Sequence, residues 1–60
     1  PTSSIDINAS GSTQFRLRQS YTPTSSGDTS GNVGQIAWDN NYMYVKTNLG
    51  WGRAALDYGF

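Results

Sequence analysis

Gly34-Gln35-Ile36-Ala37-Trp38-Asp39-Asn40-Asn41-Tyr42-Met43-Tyr44 reads as two short strands joined at Asn40-Asn41. Large and apolar residues alternate on both sides of the Asn pair, the period-two signature of a half-buried hairpin. Asn tolerates positive φ better than most residues, so the pair predicts a two-residue type I′ turn. Such a turn sets Asp39 opposite Tyr42 and Trp38 opposite Met43. Directly opposed residues share a face. Ile36, Trp38, Met43 and Val45 are therefore expected on one side. Ala37, Asp39, Tyr42 and Tyr44 fall on the other. The first side is the more apolar, and two semi-apolar faces suit a module sandwiched between a core and a subunit interface. The second carries two tyrosines and suits packing on another part of the assembly.

Strand signals continue outward from this hairpin. Tyr42 to Thr47 is followed by a turn at Asn48-Leu49-Gly50 and a last strand from Trp51 to Tyr58. Upstream, Ser3 to Asn8 places Ile5 and Ile7 on one face. Thr13 to Arg18 places Thr13, Phe15 and Leu17 on one face and Gln14, Arg16 and Arg18 on the other. Ala9-Ser10-Gly11 reads as the turn between them. No window repeats apolar residues at helical spacing over three turns. The expectation is an all-β domain over 1–60: an N-terminal hairpin (1–18), a loop (19–33) and a three-stranded antiparallel meander (34–60). The loop is long by ordinary standards. It either crosses its own domain or wraps a neighbouring subunit.

Sixty residues bury only about 60% of the surface that the unfolded chain exposes. Folds of this size need a staple. Cysteine and histidine are both absent, which removes disulfides and the usual zinc ligands. No metal and no cofactor is expected. Oligomerisation is the staple that remains. Four basic residues balance four Asp, so the basic footprint of a nucleic-acid binder is missing. No apolar run approaches the ~20 residues of a membrane-spanning helix. Pro1 is not an initiator Met, which suggests a piece of a longer chain.

Chemistry is sparse. Ser and Thr have no His base to activate them. Asp39 and Asp57 would need a cleft and one raised pKa to act as a glycosidase pair; Asp39 fits better as a turn residue accepting backbone N–H groups. No catalytic residue is assigned and no enzyme is expected. Arg16, Arg18, Lys46 and Arg53 read first as solvated charges. Trp38, Tyr42, Tyr44, Trp51 and Tyr58 read first as core and interface aromatics. An exposed Trp51 between Gly50 and Gly52, with Tyr58 and Arg53, is the alternative ligand-binding set.

The segment Thr22-Pro23-Thr24-Ser25-Ser26, then Gly31-Asn-Val-Gly34-Gln-Ile-Ala-Trp-Asp39, then Tyr42-Met-Tyr-Val45, then Trp51-Gly-Arg-Ala-Ala-Leu56 resembles a small module of tailed-bacteriophage structural proteins. That module recurs near the C-termini of tail fibres, head fibres and other virion appendages. The resemblance covers Thr22 to Leu56 and departs at Gly52, where the pattern usually carries Lys. It implies an intertwined homotrimer that holds three chains in register, with the parent fibre chain or other virion proteins as partners. Ile36, Trp38, Tyr42, Met43, Tyr44, Val45 and Leu56 are the residues expected in its interface or core. The implied location is the virion and the implied role a trimerisation tip that presents a host-attachment surface. The alternative is a module that binds host-surface glycan or receptor through exposed aromatics.

Overall fold

The alternation around Asn40-Asn41 builds a hairpin in the computed structural model, which describes residues 4–60. Strand β1 is Ile36–Trp38, β2 is Tyr42–Thr47 and β3 is Gly50–Ala55. They form one antiparallel sheet in the order β1-β2-β3, and the described residues contain no helix. The class is all-β, with the meander where the alternation places it.

The register follows the expected pairing. Ile36 faces Val45, Ala37 faces Tyr44 and Trp38 faces Met43. The Asp39 N–H donates to the Tyr42 carbonyl at 3.0 Å. The turn chemistry differs from type I′: among the described residues only glycines have positive φ. Asp39 makes the turn instead. Its Oδ1 accepts from Asn41 N at 2.8 Å and Tyr42 N at 2.9 Å. An aspartate that binds the two N–H groups ahead of it closes the chain without left-handed residues.

The second turn is Asn48-Leu49. Thr47 Oγ1 accepts from Leu49 N and donates to the Gly50 carbonyl, both at 3.1 Å. Gly50 opens β3 rather than ending the turn, with φ +115°. A Cβ there would lie 2.3 Å from the Ser26 carbonyl oxygen, so close approach as well as backbone shape requires glycine. Strand β3 ends at Ala55, short of the expected Tyr58.

The N-terminal hairpin expected over 1–18 does not form in residues 4–18, which contain no strand. Gly11-Ser12 turns, with Gln14 Nε2 donating to the Gly11 carbonyl at 3.1 Å. The flanking segments lack a sheet to lie against, and a lone two-stranded hairpin is marginal in water. Pro1, Thr2 and Ser3, the start of the strand expected at 3–8, lie outside the described residues.

The core of the single chain sits on the face that carries the two tyrosines. Ala37, Tyr44 and Trp51 are its buried hydrophobics, with Tyr42 packed against them. The loop 19–33 crosses over this face of its own chain. Tyr21 N donates to the Trp38 carbonyl at 3.0 Å, and Trp51 N donates to the Ser26 carbonyl at 2.9 Å. Tyr21 meets Trp51 at 6.0 Å between ring centroids, tilted by 49°, and Pro23 is buried beneath the crossing. On the other face Ile36, Met43 and Val45 stay 49%, 47% and 41% exposed.

Candidate functional site

Two surfaces emerge, one on each side of the sheet. The first lies beneath the crossing loop, which two aspartates organise. Asp28 accepts from the Tyr21 hydroxyl at 2.5 Å, Thr24 N at 3.0 Å and Ser30 N at 2.8 Å. These bonds, Tyr21's first, hold its carboxyl well below the usual carboxylate range. Asp39 Oδ2 accepts from Thr22 Oγ1 at 2.6 Å and the Tyr44 hydroxyl at 2.5 Å. Thr22, then Tyr44, then the turn amides depress its pKa in the same way. The bond to Asp39, aided by burial, raises the Tyr44 phenol above 10.0.

The loop is also tied to the sheet by donors from below. Lys46 Nζ donates to the Asp28 carbonyl at 2.6 Å and lies 5.6 Å from the Trp51 ring centre. Trp51 Nε1 donates to the Ser30 carbonyl at 3.1 Å. Trp51 is thus 5% exposed and Tyr44 4%. The exposed Trp51 platform is not what the fold provides. The indole is the pillar on which the loop rests, because its edge reaches a carbonyl and its face meets Tyr21 and Lys46. Arg53 lies over the Tyr42 ring, 4.2 Å from its centre. Beside it opens a groove of about 370 Å³, lined by Pro23, Thr24, Ser25, Ser26, Tyr44, Trp51 and Arg53. Tyr58 is remote from this groove: it is exposed, and its hydroxyl donates to the Asn40 carbonyl.

The second surface is the face the loop leaves open. Pairing places Ile36, Trp38, Met43, Val45 and Ala54 on one side of the sheet. Leu56 continues it, its N–H donating to the Asn41 carbonyl at 3.0 Å. Trp38 is half-buried, and its Nε1 donates to the Leu17 carbonyl at 2.9 Å. Of the residues expected at an interface, Ile36, Trp38, Met43, Val45 and Leu56 gather here. Tyr42 and Tyr44 lie on the roofed face and serve the chain's own core. Residues with central roles that sequence reasoning passed over are Tyr21 and Asp28, for which the length of loop 19–33 was the only signal; Thr22 stood in the quoted Thr-Pro motif without a role.

Among the described residues no cluster of three or more His, Cys, Asp or Glu is placed to hold a metal ion, and no helix is long and apolar enough to cross a membrane. No protein-family model, no curated protein and no solved structure matches the chain.

Proposed function

We propose that the chain is a structural self-assembly module: a trimerising tip of a bacteriophage fibre or other virion appendage, carrying a surface presented to the host. One observation carries the reading. A continuous apolar sheet face stays open on a chain that exposes far more surface than a folded monomer of its size. The accessible area is 5366 Å² for 6.5 kDa, against about 3,800 Å² expected. The radius of gyration is 13.7 Å, against about 10.5 Å for a compact chain of this length. Three-fold order, the virion and the fibre partner rest on the resemblance of Thr22 to Leu56 to phage appendage modules.

Burying the open face gains roughly 25 cal/mol per Å² of apolar surface, and only on assembly, so association stabilises the folded chain by mass action. Native mass of the 60-residue chain across a dilution series tests this. A trimer that persists on dilution is the expected result. A well-folded monomer at every concentration overturns it.

The groove beside Arg53 favours a second reading, recognition of a host-surface glycan. It offers Ser and Thr hydroxyls, a guanidinium and the margins of Tyr44 and Trp51, and three copies would multiply a weak affinity. Titration with polysaccharide, followed by Trp emission, should shift the spectrum at millimolar sugar. No shift removes this reading.

A further inference from the structure

Resting on that assembly reading, we infer that the outer edge of β3 is where a second copy docks, and that the strand it accepts is the second copy's residues 4–8. The ladder leaves this edge open. Residues 50, 52 and 54 alternate with 51, 53 and 55 in facing β2. Leu56 N bonds Asn41, while Trp51 N points outward to Ser26. The outward set is therefore Trp51, Arg53 and Ala55. Beyond Trp51 no backbone partner among the described residues reaches the outward groups of Arg53 or Ala55, both exposed. No Pro, Lys or bulge blunts this edge. An unpaired edge is a template for strand addition.

Side chains select the occupant. On the open face β3 presents only Gly50, Gly52 and Ala54, too small to cover the apolar stripe that Met43 and Val45 begin. On the roofed face it presents Arg53. A fitting strand carries apolar bulk on one face and an acid on the other. Residues 4–8 read Ser-Ile-Asp-Ile-Asn, and the side chains of Ile5 and Ile7 are largely exposed. With those two extending the apolar face, Asp6 falls on the Arg53 side. A one-residue slip would put Asp6 on the apolar face and both Ile beside Arg53, so register is specified. The other strand-patterned segment, 13–18, fits worse. Its Arg16 and Arg18 would share a face with Arg53 when Phe15 and Leu17 join the apolar side, and like charges oppose pairing. Its Leu17 carbonyl already accepts from Trp38. The contact is heterologous, edge to segment, so three repeats can close a ring.

The test measures native mass on dilution for the full chain, with Trp emission reporting that each variant is folded. Asp6→Arg and Arg53→Asp should each lower the dilution at which the assembly separates by about fivefold, the upper end for a surface ion pair. The double exchange D6R/R53D should restore it. Ile7→Pro, which removes an N–H that a ladder would use, should abolish assembly while leaving the monomer intact, since residue 7 is in no strand of its own chain. Assembly that survives Ile7→Pro and ignores both charge reversals overturns the strand-addition inference and leaves self-assembly standing. Wild-type chain that is monomeric throughout overturns both. Should Ile7→Pro fail to fold, the charge exchange decides alone.

Discussion

The Tyr44 hydroxyl donates to the Asp39 carboxylate at 2.5 Å, and the same oxygen accepts from Thr22 in the crossing loop. One aspartate therefore closes the β1–β2 turn with one oxygen and fastens the roof with the other. Charge-assisted bonds of this kind are the stronger ones. Tyr44→Phe should lower the urea midpoint, because it removes one donor and leaves the ring in place. Asp39→Ala should lower it further, since turn and roof are lost together. Equal midpoints for Tyr44→Phe and wild type, followed by Trp emission, would show that this bond contributes nothing.

Acid should open the roof. The native pKa values of Asp28 and Asp39 are depressed, so the unfolded chain binds protons first. Stability then rises with pH across that window. It should be flat near neutrality, begin to fall below about pH 4, where free Asp titrates, and keep falling toward the native values. Asp28→Asn should flatten the slope while lowering the plateau. A wild-type profile level down to pH 2 contradicts this. At the alkaline end the raised Tyr44 pKa has the opposite consequence: stability is intact below pH 10 and declines above it.

Gly50 and Gly34 separate strain from collision. Both have positive φ, +115° and +94°, yet a Cβ at Gly34 meets nothing within 4 Å and one at Gly50 meets the Ser26 carbonyl oxygen at 2.3 Å. Gly34→Ala should cost about 1–2 kcal/mol of backbone strain. Gly50→Ala should cost distinctly more and free the loop, read as faster exchange of the Trp51 amide that bonds Ser26.

Trp51→Ala should unfold the isolated chain. Truncating a buried Trp costs about 3–5 kcal/mol, comparable to the whole stability expected of about 60 residues. Trp51→Phe keeps the packing and loses the bond to Ser30, and should remain folded with a lower midpoint. Circular dichroism distinguishes the two.

On the open face the consequence is reversed. Met43→Gln with Val45→Thr should leave the monomer's roof and its Trp51 emission unchanged while lowering native mass. Loss of the fold in this variant would mean that the face is needed by the chain itself.

Register and face membership were legible from Ile36 to Val45 because a two-residue connection and period-two alternation leave few alternatives. Which face the chain covers was not. Ile36, Trp38, Met43 and Val45 are the more apolar set, but the tyrosine face is semi-apolar too, and alternation does not say which of the two the chain itself covers. The fold buries the tyrosine face because Asp39 satisfies the Tyr44 hydroxyl and an aperiodic loop supplies the cover. Trp51 reads first as a packing aromatic, but two flanking glycines left its exposure open. Its room comes instead from Gly31, where a Cβ would lie 3.0 Å from the indole, and such a distant small residue leaves no local mark. The alternation of Ile5, Ile7, Phe15 and Leu17 is present in the sequence, but an alternating segment becomes a strand only beside a sheet edge.

The roof also dictates an order of events as the chain collapses. The sheet is joined by two-residue connections, whereas the bonds Thr22–Asp39, Asp28–Lys46 and Ser30–Trp51 span 17, 18 and 21 residues. Closing those longer loops costs more chain entropy before any contact rewards it. Hairpins form in about 1–10 μs, so the meander is the platform and the loop the late arrival. Trp51 belongs to both, and its change in emission marks the moment the loop lands.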